Sequence, residues 1–309
     1  GEGRYVMDRK TGEIKTVNGP KMLLPDPRSQ VIVRRILTDR QCQLWYPGNS
    51  DALAYNQNLR ALSSNQPSSR SGFVSEGDFK KGSGKLGMFE SYDSVSAHEM
   101  ADYESVGATH LPQKMERELN YKQPQLLTLD TKFDGVPTIR VYTGYAVNII
   151  SKSGDRRVVV GPATVLLNYD EILEELTLST GKPKTTGHTL STCYLRVLNN
   201  KISDYVEVET SDHVKALVKL SLCVDFEGSP EKWFDVENYV KFLTDHVRSL
   251  LKGAVKKISC RDFYSNYLSI IRDTILRPKQ GDSPRQGLIF PQNGMRVTEV
   301  EVLDQTIVD

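Results

Sequence analysis

The chain has 309 residues, 38% of them hydrophobic and 26% charged, which is typical of soluble globular proteins and allows two or three domains. Its forty basic and thirty-nine acidic side chains nearly cancel, which disfavours a nucleic-acid-binding surface because such a surface needs a basic excess. No apolar run approaches the roughly 20 residues that cross a bilayer, and four widely spaced cysteines indicate free thiols rather than a zinc site, so a cytoplasmic protein is expected.

An internal repeat opens the chain. Residues 5–38 align without a gap with residues 147–180, an offset of 142. Each copy reads as an apolar strand, a glycine-containing turn, a return strand and a Gly-Pro corner. A unit of roughly 35 residues cannot bury its own apolar face, so we expect each copy to stack on a neighbour. The identical positions are Lys10 and Lys152, Gly12 and Gly154, Val17 and Val159, Gly19 and Gly161, Pro20 and Pro162, Leu24 and Leu166, and Thr38 and Thr180.

A second apolar stretch and then another strand follow each Gly-Pro corner. The apolar stretches are Met22–Leu24 and Val165–Leu167, and the predicted strands are Val31–Leu37 and Ile172–Leu178. A strand at Thr138–Tyr142 is expected to precede the second copy.

The composition changes between the two copies. Residues 47–113 are rich in serine and poor in apolar side chains, so they bury too little apolar surface to offset the entropy of ordering. We interpret them as a linker or insertion that contains one short helix around Ala52–Leu62.

The last part of the chain combines strand and helix patterns. Apolar residues alternate from Val214 to Phe226, which predicts a long strand with one buried face. Helical spacing then predicts a helix over residues 235–255 and a second helix after the N-cap Ser259. A closing strand is expected at Met295–Ile307. Shorter strands are predicted at Cys193–Leu198 and Tyr205–Glu209, and the apolar face of the second helix is assigned to Phe263, Tyr264, Tyr267, Ile270 and Ile271.

These patterns resemble two known families. The run Tyr205–Lys257, with Val208–Val214 and Phe234–Tyr239 inside it, is similar to an SPFH (stomatin, prohibitin, flotillin, band 7) domain, and Gly294–Asp304 resembles the closing strand of that domain. The two Gly-Pro units resemble the β-repeats of major vault proteins. The resemblance implies an α+β protein, in which stacked antiparallel β-repeat units precede an SPFH-like domain of antiparallel sheet with two packed helices. The implied domains are 1–46 and 114–187 for the repeats, 47–113 for the linker and 188–309 for the SPFH-like domain.

The resemblance also implies a function. Such proteins are non-catalytic scaffolds that pack side by side into rings or cages, so the expected partner is the chain itself in a large homo-oligomer. A membrane-surface scaffold is the related alternative. The helix at 235–255 and the exposed strand edges of the repeats are the candidates for contacts between subunits, with packing inside one chain as their alternative role. The residues assigned to these contacts are Tyr239, Leu243, Val247, Lys241 and Arg248.

One short motif points to an enzyme instead. Lys132-Phe133-Asp134-Gly135 matches the KxDG nucleophile motif of nucleotidyl transferases, in which the lysine attacks a nucleoside triphosphate. Gln286–Phe290 resembles a later motif of that family, although Gln286 stands where a carboxylate is required. Asp134-Gly135 is also a common turn pair. We therefore expect no enzyme, and we assign no catalytic, cofactor-binding or metal-ligating residue.

Overall fold

The computed structural model describes residues 3–64, 135–279, 281 and 285–308. Within these residues the chain forms antiparallel sheets and four helices, the α+β composition expected from the sequence. Three units follow one another: a first repeat, a second repeat and a larger sheet that carries two helices.

The first repeat is a three-stranded sheet. Its central strand β1 (Gly3–Asp8) pairs with β2 (Ile14–Asn18) on one side and with β3 (Gln30–Val33) on the other. Gly12 has a φ of +73° in the turn between β1 and β2, a conformation that glycine adopts without steric cost. Tyr5, in the middle of β1, is fully buried.

The second repeat has the same central sheet. It begins with β4 (Thr138–Val141), followed by β5 (Tyr145–Ile150), β6 (Arg156–Val160), β7 (Ala163–Leu166) and β8 (Ile172–Leu173). Strand β5 pairs with β6 and β8 as β1 pairs with β2 and β3. Strand β4 pairs with β7.

The offset of 142 that relates the two sequences also relates the strands. It takes β1 onto β5 and β2 onto β6, and the pairing of β8 with β5 has the same register as that of β3 with β1. The two hairpins differ by one residue in register, because the first loop has four residues and the second has three. The repeat detected in the sequence is therefore a structural repeat.

Three short strands lead out of the second repeat. They are β9 (Leu176–Ser179), β10 (Thr189–Thr192) and β11 (Leu195–Arg196). Strands β9 and β10 pair with each other, and β11 pairs with the start of β5. The strand predicted at Cys193–Leu198 is thus confined to two residues.

Charged residues shorten two other predicted strands. The strand expected at Val31–Leu37 ends at Val33, before Arg34-Arg35. The strand expected at Ile172–Leu178 divides into β8 and β9 around Glu174-Glu175. Arg35 and Glu175 both contact neighbouring elements instead of extending a ladder.

The apolar stretch Met22–Leu24 differs from its counterpart in the second repeat. These residues form no strand, and the side chains of Met22 and Leu24 are 87% and 82% exposed. Their counterpart in the second repeat is β7, which is a strand because β4 lies beside it. Among the described residues no strand lies beside Met22–Leu24, and an apolar segment without a partner strand gains no ladder.

Two helices follow the first repeat. Helix α1 (Asp39–Trp45) starts at Thr38, whose side chain forms a capping box with Gln41. Helix α2 (Ser50–Ser64) starts after Asn49, whose side chain accepts a hydrogen bond from the amide of Ala52 at 2.8 Å. The short helix predicted around residues 52–62 is confirmed, whereas α1 was not predicted. The remainder of the predicted linker, from residue 65, lies outside the described residues.

The last unit contains a four-stranded sheet. Its strands are β12 (Asn200–Glu209), β13 (Lys215–Phe226), β14 (Leu288–Phe290) and β15 (Met295–Val308), in the order β12-β13-β15-β14. The alternation predicted for β13 is confirmed, since every second residue from Ala216 to Phe226 is buried. The closing strand is also found where it was predicted.

Two helices cover the buried face of this sheet. Helix α3 (Tyr239–Val255) packs on β12, and helix α4 (Cys260–Leu276) packs on β15 and α3. The N-cap Ser259 accepts a hydrogen bond from the amide of Asp262 at 3.2 Å, as predicted. Tyr264 departs from the expectation: it is 59% exposed, so it lies off the buried face of α4.

Candidate assembly surfaces

The first junction joins the two repeats through hydrogen bonds to main-chain oxygens. The Tyr5 hydroxyl donates to the carbonyl oxygen of Leu167 at 2.6 Å, and the Tyr5 ring meets Tyr169 edge to face at 5.2 Å. The Arg35 guanidinium donates to the carbonyl oxygens of Asn168 at 3.1 Å and Glu171 at 2.5 Å. Burial raises the pKa of Tyr5 to about 12, so its hydroxyl remains a donor at neutral pH.

Helix α1 belongs to the core of the second repeat, although it follows the first. Trp45 is buried in a cluster that includes Ile139 and Leu173. The Tyr194 hydroxyl donates to the carbonyl oxygen of Trp45 at 2.7 Å, and Arg40 at the other end of α1 pairs with Glu175. Helix α1 therefore holds the first repeat against the second.

A partly buried ion pair supports the surface of the second repeat at this junction. Arg157 Nε and Nη2 donate to the two carboxylate oxygens of Glu171 at 3.0 and 2.8 Å. Burial opposes ionisation of Glu171, but the hydrogen bonds from Arg157 and Asn168 outweigh it and lower the pKa of Glu171. The same carboxylate accepts the amide of Asn168 at 2.8 Å, which fixes the turn that Arg35 contacts.

The second junction joins the second repeat to the last unit through a shared hydrophobic core. Ala146, Leu176 and Leu195 lie in the same buried cluster as the inner face of β13 and the apolar face of α3. The amide of Phe226, at the end of β13, donates to the carbonyl oxygen of Val197 at 2.9 Å. The boundary between the two units is therefore continuous apolar packing.

Polar groups at this junction are buried together with the core. Arg248 on α3 donates to Asp204 on β12 at 2.5 Å and, from both terminal nitrogens, to the carbonyl oxygen of Lys184 at 3.1 Å. The amide of Lys184 donates to Asp204 at 2.9 Å. Burial lowers the pKa of the Lys184 ammonium, although Asp204 opposes this shift. The network fixes the segment after β9 against α3.

The residues predicted to form subunit contacts lie in two settings. Tyr239, Leu243 and Val247 are buried in the core of the same chain, where the Tyr239 hydroxyl accepts a hydrogen bond from Asn200 at 2.8 Å. Arg248 belongs to the buried network at the second junction. Lys241 is partly exposed and pairs with Asp245 one turn along the helix. Contact of any of them with another subunit stays a prediction, and Lys241 is the most accessible of the five.

The described part of the chain contains no group of three or more His, Cys, Asp or Glu side chains that could hold a metal ion. None of its helices combines the length and the apolar composition needed to cross a bilayer. The four cysteines are free, and Cys42 and Cys193 are buried. Lys132, the candidate nucleophile, lies outside the described residues.

Comparison with protein families assigns two of the units. Residues 138–195 match the Major Vault Protein Repeat domain, and residues 198–309 match the Shoulder domain of the same protein. Major vault protein repeat and shoulder domains are therefore both found in this chain. The boundary between the two matches coincides with the second junction, between β11 and β12. The first repeat precedes both matches and resembles the matched repeat through its strands.

The curated relatives that this chain matches are major vault proteins. The chain is 30% identical over 182 residues to a major vault protein of Strongylocentrotus purpuratus, 33% identical over 175 residues to one of Diplobatis ommata, and 31% identical over 225 residues to one of Bos taurus. These alignments cover 56%, 54% and 66% of this chain but 21%, 20% and 24% of the relatives. The chain therefore spans about a quarter or less of the length of the curated relatives it matches.

Sequence reasoning did not find the polar contacts of the two junctions. Tyr5, Arg35 and Asp204 bind main-chain atoms or residues far away in sequence, and no local pattern marks them. The position of Asp204 could have indicated one of these contacts. Asp204 lies on the face of β12 that packs on the core, and a buried carboxylate there requires a partner.

Proposed function

We propose that this chain is a structural subunit that assembles with copies of itself into a large vault-like ring or cage in the cytoplasm and has no catalytic role. The observation that carries the proposal is the direct succession of a major vault protein repeat and a shoulder domain that share one hydrophobic core. A shared core fixes the angle between the repeat and the shoulder. A ring of identical subunits can close around a symmetry axis only if this angle is the same in every copy.

The finer proposal is that the shoulder is SPFH-like. Its four-stranded antiparallel sheet with two helices on one face supports this relation. Neither the descriptions of the matched domains nor the names of the relatives refer to a membrane.

Lateral contacts between subunits are proposed for the exposed side of α3. The buried side of this helix is occupied by the core of its own chain, which leaves Lys241 and Asp245 at the surface. Charged pairs at the rim of an interface add specificity more than affinity, so reversal of one charge should weaken assembly without unfolding the chain.

The solution mass tests the assembly. Size exclusion with multi-angle light scattering, combined with negative-stain images, should show particles of many times 34.8 kDa with ring or barrel outlines. A folded monomer at every concentration would contradict assembly by these domains. Lys241→Glu should lower the assembled mass, while Lys10→Glu, the same reversal in the exposed β1–β2 turn, should not. Equal masses for the two variants would remove α3 from the interface but leave assembly standing.

A further inference from the structure

The sequence contains two Asn-Gly pairs, Asn18-Gly19 and Asn293-Gly294. In such a pair the main-chain amide of the glycine can attack the asparagine side chain, because glycine has no Cβ to hinder the approach. The attack needs a mobile main chain and access of water. The structure places the two pairs in opposite surroundings, so they should react at different rates.

The first pair is open to solvent. Asn18 is the last residue of β2, and both Asn18 and Gly19 are exposed. Neither the Asn18 side chain nor the Gly19 amide forms a hydrogen bond with another described residue. The ladder between β1 and β2 ends at Asn18, so among the described residues no strand pairing holds the Gly19 nitrogen away from the Asn18 side chain.

The second pair is buried and fixed. Asn293 is 0% exposed, and its side-chain oxygen accepts the amide of Met295 at 3.3 Å. The carbonyl oxygen of Gly294 accepts the amide of Glu227 at 2.8 Å. A Cβ at Gly294 would lie 2.2 Å from the carbonyl oxygen of Glu227, so the main chain is closely packed there. Rearrangement of this pair therefore requires local unfolding.

The asparagine at residue 18 is not a requirement of the repeat. The offset of 142 places Val160 and Gly161 at the equivalent positions. A Cβ at Gly161 would lie 1.9 Å from the carbonyl oxygen of Tyr142, so packing demands glycine at this corner. Val160 shows that the preceding position accepts a side chain without an amide. Asn18 thus adds a reactive group next to a glycine that the corner needs for steric reasons.

We propose that Asn18 is a site of spontaneous deamidation, and that its isoaspartate product weakens the contact between β1 and the second repeat. The Gly19 nitrogen loses its proton to hydroxide and bonds to Asn18 Cγ, the Cγ–Nδ2 bond breaks, and ammonia leaves after taking a proton from water. A second water then opens the succinimide ring at either carbonyl carbon, which gives aspartate or isoaspartate. Either product adds one carboxylate, so the formal net charge of the chain falls from +1 to zero.

The position of Asn18 ties this chemistry to the first junction. Asn18 lies opposite Gly3 in the ladder of β1 and β2. A Cβ at Gly3 would lie 3.3 Å from Asn18 Oδ1, 3.1 Å from Val136 Cγ2 and 3.3 Å from Leu166 Cδ1. The amide of Val136 donates to the carbonyl oxygen of Gly3 at 3.1 Å. Isoaspartate adds a carbon to the main chain at residue 18, which disturbs the ladder opposite Gly3. The reaction takes place within one chain and does not depend on assembly.

The test is ageing of the full chain at mildly alkaline pH. Peptide mapping by mass spectrometry follows the exchange of the amide for a carboxyl group, and labelling by an isoaspartate-specific methyltransferase identifies the main product. The matched control is Asn18→Gln, which keeps the amide but must close a larger ring. A sample of the original chain in denaturant gives the rates of both pairs without the fold.

We expect Asn18 to deamidate in the folded chain at least about tenfold faster than Asn293, because Asn293 reacts only after local unfolding. In denaturant the two asparagines should react at similar rates, and Asn18→Gln should abolish the conversion of its peptide. If Asn18 reacted in denaturant but not in the folded chain, or if both asparagines reacted equally in the folded chain, the proposed site would be overturned.

Hydrogen exchange of the peptide that contains Val136 measures the effect on the junction. Before ageing, the original chain and Asn18→Gln should exchange alike. After ageing, the Val136 amide should exchange at least about threefold faster in the original chain than in Asn18→Gln, because the Gly3 carbonyl oxygen is less well held. Equal exchange in the two aged chains would overturn the proposed weakening of the contact.

Discussion

The two junctions that flank the second repeat are built in different ways. The junction with the first repeat relies on an added helix, α1, and on side chains that donate to main-chain oxygens. The junction with the shoulder relies on a continuous hydrophobic core and one buried ion pair. The contacts between the two repeats can be lost while the shoulder stays folded. The contacts between the second repeat and the shoulder cannot be lost without exposing the hydrophobic core of the shoulder.

This difference shows how a repeat unit too small to be stable alone is completed. The second repeat has a neighbour on both sides, and every side chain of β4 and β7 except Thr164 is at least partly buried. The first repeat has a described neighbour on one side only, and it exposes Met22 and Leu24. Burial in these units is therefore set by neighbours more than by the repeat sequence itself.

The largest loss of folding stability is expected from Trp45→Ala, because this substitution leaves a cavity at the centre of the first junction. Truncation of a fully buried tryptophan costs about 3–5 kcal/mol. Hydrogen exchange should accelerate in β1 to β5 and stay unchanged in β12 to β15. Tyr264→Ala, which truncates a 59% exposed aromatic side chain on α4, should cost less than about 0.5 kcal/mol. Acceleration in the shoulder as well would show that the two junctions unfold as one unit.

The next largest loss of stability is expected from breaking the ion pair between Arg248 and Asp204 at the second junction. Arg248→Ala leaves the carboxylate of Asp204 buried without its partner, and we expect a loss of about 3 kcal/mol because Arg248 keeps some exposure. The double variant Asp204→Leu with Arg248→Met should recover most of this loss, since it removes both charges. Denaturant unfolding measures both. Lys241→Ala, which breaks an exposed pair on the same helix, is the control and should cost less than about 0.5 kcal/mol.

Periodic patterns in the sequence predicted the elements that bury one regular face. The alternation of β13 and the helical spacing of α3 each repeat over many residues, so single exceptions do not hide them. The glycine turn and the N-cap Ser259 were also predictable, because their chemistry is local. Helix α1 was missed because it has only seven residues and its apolar side chains serve the next unit.

The junctions could not be predicted in the same way. Met22–Leu24 has the composition of a strand, and whether it forms one depends on a partner strand that the pattern does not contain. Tyr239, Leu243 and Val247 show that an apolar helix face predicts burial but not against which surface. Arg248 was assigned to contacts between subunits, although its partners within the chain are Asp204 and the Lys184 carbonyl oxygen.

A smaller loss of stability is expected from removing the hydrogen bond between the Tyr5 hydroxyl and the carbonyl oxygen of Leu167. Tyr5→Phe keeps the ring and its contact with Tyr169 but leaves the carbonyl oxygen of Leu167 without this donor. The loss of one buried hydrogen bond costs about 1 kcal/mol. Thermal unfolding monitored by circular dichroism measures the difference. Tyr264→Phe removes an exposed hydroxyl and should have no measurable effect, so an equal loss for both variants would show that the buried bond contributes nothing.

The smallest effect is the pH dependence of Glu171. Its pKa is lower in the folded chain than in the unfolded chain, so ionised Glu171 stabilises the fold above its unfolded pKa, and this contribution is lost as the pH falls through the folded pKa. Arg157→Met removes the main stabilising partner and leaves only the hydrogen bond from the Asn168 amide to oppose burial, so the pKa of Glu171 should rise. Acid unfolding should then begin at a higher pH than in the original chain. Arg156→Met, on the same strand, removes only a 3.6 Å pair between more exposed side chains and should leave the acid midpoint in place. If both variants moved the midpoint equally, the shift would come from net charge, and the Arg157–Glu171 pair would have no special part in holding the turn at residues 168–171 that Arg35 contacts.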